Sequence, residues 1–506
     1  MNLQLDRGRR VPVYVQIRNQ LRERILRGDL PPGTRLPPER EMARRLGVSR
    51  TTVVNAYDEL VAEGLVEAHV GRGTIVVGPQ AAWTGGASPI RPINWQAHFS
   101  PLGQRLRDSA SAELLALRQL STQQRDVSFA FGLPDPTLMP LDRLRQAWDA
   151  ALSRARAGIV GSCSIQGLVA LRELIAAHLE QQDISVSPEN VMVVSGSQQG
   201  LGFLLRLLTE PGDTVITGAP TYFGALQTFQ AHGLRVLGVP VDRNGMEVER
   251  VEFLLARYRP RLIYTVPTYQ NPTGATMNSE RREKLLTLAQ RYQIPIIEDD
   301  PFSLLYFDEP PPLPIKAFDE AGHVLYLSTF SKYLGLGLRI GFLVAPRPVT
   351  QLAIQLKRVT DLQSNTVAQH LIVEFAQRGW LDEQIARARA VYAARCRTMD
   401  AALRRHLPPG ARWHTPSGGM FLWLELPEQL SASELLLEAG QRGVVFLPGH
   451  FMYPANGRRD VCRLNFSYPD EKAIERGCAA LGAALRKLLR RGAKGTAEPV
   501  TVSAIV

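Results

Sequence analysis

Between residues 191 and 346 the chain carries six short runs that are apolar throughout, VMVVSG, DTVITG, RLIYTVP, IPIIED, HVLYLSTF and RIGFLVAP. Longer helical patterns, such as 198–209 and 278–292, lie between them. A strand exposed on one face alternates apolar with polar residues, so runs with no alternation are buried on both faces. Helices interleaved with such strands cover both faces and let successive strands run parallel. The pattern therefore predicts an α/β domain built on a mostly parallel sheet, spanning 127–491. At 506 residues the chain has room for more than one core, and 127–491 is read as a single one. No apolar stretch approaches the roughly 18–20 residues of a membrane span. The start, MNLQLDRGRR, lacks the apolar segment of a secretory signal, so a cytoplasmic protein with no membrane partner is expected. The four cysteines are at least sixteen positions apart and form no CxxC, so neither a disulfide framework nor a metal site is expected.

The first 78 residues have a different texture. Tyr14–Leu26 places apolar side chains at 14, 17, 21 and 25, one face of a helix that stops at Gly28. A second helix follows Pro38 and ends at Gly47; Ser49 stands as an N-cap before a third, which ends at Gly64. Two short helices joined by LGVS read as a helix-turn-helix. LVEAHV and GTIVV then flank Gly71-Arg72-Gly73 as a two-stranded wing with a basic tip. The module holds 13 Arg, no Lys and 9 acidic residues, a modest share of the chain's net +11. Placement matters more than the total: the third helix opens with Ser49, Arg50, Thr51 and Thr52, hydroxyls and a guanidinium fork beside the free amides of a helix start. Residues 79–126, rich in Gly, Pro, Ala and Ser at their beginning and helix-like near 110–120, read as a linker, and 492–506 as a loose tail.

The run PPGTRLPPEREMARRLGVSRTTVVNAYDELVAEGLVEAHVGRGTIVV resembles, over its length, the winged helix-turn-helix of the GntR regulators. The resemblance implies double-stranded operator DNA as partner, contacted by Arg35, Arg40, Ser49, Arg50, Thr51 and Thr52, with Arg72 and Gly73 at the wing. Pro38 stands where that family usually has serine; proline is tolerated in a first helical turn, but a hydroxyl is lost.

In the large domain, LSTFSKYLGLGLRIGFL sets Lys332 after an apolar strand, with Thr329 and Ser331 before it and Arg339 seven positions on. A lysine among hydroxyls and a guanidinium can form a Schiff base with an aldehyde cofactor while its neighbours hold a phosphate. IPIIEDDPF puts Asp299 and Asp300 at the carboxyl end of a strand, where open α/β sheets bind ligands. VVSGSQQG is a strand, a Gly and Ser turn and a helix start, a phosphate cradle around Ser197 and Gln198.

The order SGSQQ, PTYFG, TYQNPTG, EDDPF, STFSK and CRLNFSYP resembles the class I aminotransferases of pyridoxal 5'-phosphate fold type I. That resemblance implies pyridoxal 5'-phosphate as cofactor, with Lys332 as the Schiff-base lysine and Asp299 as partner of the pyridine nitrogen. It gives Asn271 the ring's phenolic oxygen, Tyr222 the ring face, and Ser197, Gln198, Ser331 and Arg339 the phosphate. Arg463 is implied to fork onto the carboxylate of a substrate or effector. Two departures stand out. Phe302 replaces a usual tyrosine, and Ser162 replaces a tyrosine that reaches the phosphate across a dimer. At about 1 kcal/mol per lost bond, cofactor retention falls roughly tenfold. A GntR head joined to such a domain resembles the MocR regulators. The expectation is a homodimeric, pyridoxal-phosphate-dependent transcriptional regulator that senses a small amino compound, or the cofactor itself. An active aminotransferase with an appended head is the alternative. Effector, operator and sign of regulation stay open.

Overall fold

The computed structural model describes residues 3–6, 11–69, 73–77, 93–109, 127–130, 132–427 and 430–492. Arg72, the helix-like stretch near 110–120 and the tail after 492 lie outside the described residues. The chain divides into two compact units, Met1–Ala97 and His98–Val506.

In the first unit α1 (Val13–Arg27) buries Ile17, Leu21 and Ile25, spaced four apart on one face. α2 (Glu39–Leu46) starts after Pro38, whose extended backbone suits a helix entry, and ends at Gly47 in the left-handed region. α3 (Arg50–Ala62) is capped by Ser49. β1 (Val66–His69) and β2 (Gly73–Val76) pair as an antiparallel wing. PPGTRL, which reads as turn punctuation, supplies a third edge: Leu36 N–H donates to Thr74 O and Val76 N–H to Thr34 O, both at 2.8 Å. Leu36 thereby enters the core beside Met42, Val53, Leu60 and Val76, and the Tyr57 hydroxyl donates to Pro37 O at 2.9 Å.

The second unit is built on an eight-stranded sheet. Its strands are β4 (Val191–Val194), β5 (Thr214–Ala219), β6 (Arg235–Asp242), β7 (Gly245–Met246), β8 (Leu262–Thr265), β9 (Ile296–Asp299), β10 (Val324–Thr329) and β11 (Gly341–Val344), following β3 (Val127–Ser128), which lies elsewhere. Their order is β4-β11-β10-β9-β8-β5-β6-β7. β10, β9, β8, β5 and β6 run parallel, whereas β11 is antiparallel to both neighbours. The reason is local. Only short 3₁₀ turns lie between β10 and β11, and a parallel return needs a crossover of a dozen or more residues. β6 escaped the sequence reading because its burial is interrupted at Arg235, Gly238, Pro240 and neighbouring positions.

Residues 127–491 do not form one apolar core. A second, antiparallel sheet, β12 (Arg412–His414), β13 (Phe421–Glu425), β15 (Leu447–Pro448) and β16 (Val461–Asn465), is ordered β12-β13-β16-β15, and β14 (Val444–Val445) pairs with β3. It has its own cluster, including Phe421, Leu422, Leu464, Cys478 and Leu485, apart from those around the large sheet. FLWLE is buried almost throughout, so from sequence it looks like the parallel strands. Part of 79–126 is helical, over Trp95–His98 and Pro101–Ser109. Arg105 Nε donates to Ala231 O at 2.9 Å, tying the second of these helices to the helix Phe223–His232.

The stretch after β3 is anchored by a buried ion pair. Arg395 donates to Asp135 Oδ2 and to Ser467 O, both at 2.6 Å, and the arginine holds the Asp135 carboxyl below its usual range against the opposing effect of burial. Asp135→Ala leaves the Arg395 charge buried without its partner and is expected to cost about 3 kcal/mol, read as a lowered midpoint in thermal or denaturant unfolding.

Candidate functional sites

On the first unit Arg35, Arg40, Ser49, Arg50 and Thr51 are exposed and Thr52 is half-buried. Four of them share the start of α3. Ser49 Oγ accepts from Thr52 N–H at 3.1 Å and lies 2.8 Å from Thr52 Oγ1, so these hydroxyls close the helix end on each other. Arg50 is held by Glu39, with Nε and Nη2 at 3.0 and 2.9 Å from Oε2. Glu39 was not foreseen, since it acts eleven residues away across the helix turn. Gly73 has φ +81, and a Cβ there would stand 2.9 Å from Arg35 Nε. Glycine thus lets the Arg35 side chain lie along the wing.

On the second unit the residues named for a cofactor converge at the carboxyl ends of β9 and β10. One cavity is lined by Gly196, Ser197, Gln198, Tyr222, Val266, Asn271, Asp299, Pro301, Phe302, Thr329, Ser331, Lys332, Leu336 and Arg339.

At one end, β4 turns at Gly196 (φ +87) into the helix Ser197–Leu208. A Cβ on Gly196 would come 2.5 Å from Arg339 Nη2. Glycine therefore admits the guanidinium, whose Nη2 donates to Ser195 O at 2.9 Å. First-turn amides have no acceptor inside their own helix. Together with the Ser197 and Ser331 hydroxyls and Arg339 they form a corner suited to a phosphate. The Gln198 carboxamide turns away, donating to Thr228 Oγ1 at 2.6 Å, which leaves its backbone N–H in the cradle. Thr329, which the sequence placed only as a neighbour, positions the corner: its Oγ1 accepts from Ser331 N–H at 3.2 Å.

At the other end, Asp299 is buried. Its Oδ2 accepts from the Tyr264 hydroxyl at 2.8 Å, while its Oδ1 is buried with no hydrogen-bond partner among the described residues. Burial pushes the carboxyl up to about 6, with Tyr264 and Lys332 opposing the rise and Asp300 adding to it. The adjacent Asp300 has no such vacancy: Tyr326 donates to Oδ2 at 2.9 Å and Ser303 N–H to Oδ1 at 3.0 Å. An unsatisfied buried acceptor is rare and costly, so Asp299 Oδ1 is the atom that calls for a donor from a bound group.

Lys332 ends the 3₁₀ turn after β10, and its Nζ donates to Gly132 O at 3.0 Å. Burial, then the positive charge of Arg463, pushes its ammonium down to about 8, against the pull of Asp299. Nζ stands 5.9 Å from the centroid of the Phe302 ring. The Tyr222 side chain folds back over Gly224, where a Cβ would meet the ring and its hydroxyl at 2.5 Å. Burial raises its phenol, and the Asp299 charge adds to that.

Arg463 is buried, and its fork already has acceptors: Nη1 donates to Asn271 Oδ1 at 2.8 Å and Nη2 to Ala130 O at 2.5 Å. The guanidinium lies 4.2 Å over the Phe421 ring, and Nε is buried without a partner among the described residues. Ser162 is absent from the cavity lining and lies 3.4 Å from Gln363 Oε1. The donor set fits pyridoxal 5'-phosphate: a cationic corner for phosphate, a lone carboxylate oxygen for a protonated ring nitrogen, an amine for the aldehyde.

Asp299 gives a signed pH effect. Its folded pKa lies above that of an ordinary carboxylate, so its contribution to stability is full at pH below about 4 and is lost as pH rises through about 6. Asp299→Asn does not titrate. In the cofactor-free protein its thermal midpoint relative to wild type is expected to climb between pH 4 and 6, by the equivalent of about 1–2 kcal/mol, and to level off above.

Comparison with known proteins agrees with both units. The model for bacterial regulatory proteins of the gntR family matches residues 13–76, and that for aminotransferase class I and II matches 135–481. YisV, an uncharacterized HTH-type transcriptional regulator of Bacillus subtilis, is 32% identical over 95% of this chain and 97% of its own length. The probable rhizopine catabolism regulatory protein MocR of Rhizobium meliloti is 32% identical over 98% of this chain and 99% of its own. Among solved structures, the α-aminoadipate aminotransferase LysN of Thermus thermophilus, complexed with N-(5'-phosphopyridoxyl)-L-leucine, superposes with a TM-score of 0.73 at 32% identity, covering 79% of this chain and all of that one. With the head and the large domain each matched and relatives aligned end to end, the chain belongs to the GntR-type transcriptional regulators that carry a class I aminotransferase domain.

Proposed function

We propose that the chain is a homodimeric, cytoplasmic regulator that binds pyridoxal 5'-phosphate in its second unit and lets a small amino compound set the affinity of its winged heads for operator DNA. The observation that carries this reading is the lone Asp299 Oδ1 in the same cavity as Lys332. The bound group supplies an aldehyde with which an amine can condense. Lys332 provides that amine, and its lowered pKa leaves about a tenth of it neutral at pH 7. Asp299 Oδ1 would accept a hydrogen bond from a protonated ring nitrogen, the Asn271 amide nitrogen would be left to donate to the ring oxygen, and the Tyr222 ring would cover the ring. Ser197, the Gln198 amide, Ser331 and Arg339 would hold the phosphate.

An incoming amino acid offers Arg463 a carboxylate in exchange for Ala130 O and Asn271 Oδ1, a charge-assisted bidentate pair in place of neutral acceptors. A ligand shifts the heads only through its different affinity for their arrangements. Leu141, Val160 and Val169 are 73%, 78% and 54% exposed, apolar surface that a second copy would cover. A second reading, turnover as an aminotransferase, is favoured by the retention of Lys332, Asp299, Asn271 and Arg463 together. Amino donor plus keto acceptor separates the two: regulation requires no net product.

Lys332→Ala is expected to abolish the visible absorbance of the loaded protein and the effector's influence on operator binding. Unchanged spectrum and regulation would leave the second unit as a scaffold. The rate of cofactor loading should rise about tenfold per pH unit below pH 8 and flatten above it, measured by stopped-flow absorbance. Arg50→Ala should weaken operator binding by about 1–3 kcal/mol, read by fluorescence anisotropy at fixed salt.

A further inference from the structure

Consecutive aspartates at the end of β9 are each paired with a tyrosine from a neighbouring strand. Tyr264 on β8 donates to Asp299 Oδ2, and Tyr326 on β10 donates to Asp300 Oδ2. The two pairs differ in their second oxygen. Asp300 Oδ1 takes Ser303 N–H, so that pair is closed within the protein. Asp299 Oδ1 has no partner among the described residues. Tyr264 is fully buried, and its ring stands edge-on to Phe229, with centroids 5.5 Å apart at 78°. Its hydroxyl therefore has a fixed origin, and the acceptor it reaches is Asp299 Oδ2. A carboxylate with both oxygens unpartnered could rotate about its terminal torsion, which is broad and two-fold.

From this asymmetry we infer that Tyr264 is a positioning residue for cofactor binding: by holding Asp299 Oδ2 it aims Oδ1 at the ring nitrogen. Tyr264 lines no part of the cavity and acts through Asp299 alone, a supporting layer of the kind that fixes a functional group's geometry. The inference rests on the proposed cofactor. The charged and titratable groups that bear on Asp299 are Tyr264, Asp300 and Lys332, with Tyr222 among those that feel its charge. Of these, only Tyr264 hydrogen-bonds its carboxylate.

The test is Tyr264→Phe in the full-length protein, which removes one oxygen and keeps the packing on Phe229. The dissociation constant for pyridoxal 5'-phosphate is expected to rise about tenfold, the worth of a hydrogen bond to a charged group. The pH midpoint of the visible band of the loaded protein is expected to move upward by about half a pH unit, because a less ionised partner leaves the ring nitrogen less protonated. Tyr326→Phe, which takes the same oxygen from Asp300, should change neither reading, although both variants lower the thermal midpoint. Wild-type affinity and midpoint in Tyr264→Phe overturn the role of Tyr264 and leave the proposed function standing, as do equal shifts in both variants. A wild-type protein that acquires no visible band on loading overturns the proposed function and this inference together.

Discussion

A buried carboxylate and a half-buried amine that line one cavity at the ends of two adjacent parallel strands are the constraint around which the second unit is arranged. Leu327 of β10 is in register with Asp299 of β9, so the chain emerging from β10 brings Lys332 into the cavity that Asp299 lines. Neither charge is comfortable there: burial pushes Asp299 up and Lys332 down. Each partly relieves the other, and neighbouring groups share the remainder, Tyr264 at Asp299 and the Gly132 carbonyl at Lys332. Perturbed and incompletely satisfied groups in one cavity mark a site shaped for chemistry rather than for stability.

The surrounding elements can be understood as support for that meeting. Gly196 exists as glycine so that Arg339 can reach the helix start, and Gly224 so that the Tyr222 ring can fold over the cavity. The antiparallel sheet contributes Arg463 from β16 and Phe421 from β13, and those two residues stack. The stretch after β3 adds backbone carbonyls: Gly132 O to Lys332 and Ala130 O to Arg463. It is pinned by the Asp135–Arg395 pair and by Ser467, whose hydroxyl donates to Leu133 O at 2.8 Å. Two carbonyls two residues apart thus report on the amine and on the guanidinium at once. In the head, the same economy appears at Glu39, which holds Arg50 in place at the start of α3.

What was legible early was whatever local chemistry dictates. Ser49 caps α3 because a serine before a helical run has few better uses, and Gly47 stops α2 because its φ is positive. The six apolar runs became β4, β5, β8, β9, β10 and β11 because uninterrupted apolar residues admit few other burials. What escaped was long-range. β6 is half-exposed and polar in places, the strand-like edge at Thr34–Leu36 hides behind Pro and Gly, and Tyr264 reads as one more apolar strand residue until its hydroxyl is seen against Asp299.

Resemblance to the class I aminotransferases named the lysine, the carboxylate and the arginines, and the sequence by itself determined the two-part organisation and the helix ends and turns. These follow from side-chain type and from spacing along a helix or strand, which short-range sterics control. The tertiary structure alone decided strand order, the separation of two sheets, and which polar atom is left without a partner. Asp299 and Asp300 are neighbours of identical chemistry, and only the tyrosines and amides brought to them by β8, β10 and the following turn leave one of them with an oxygen to offer.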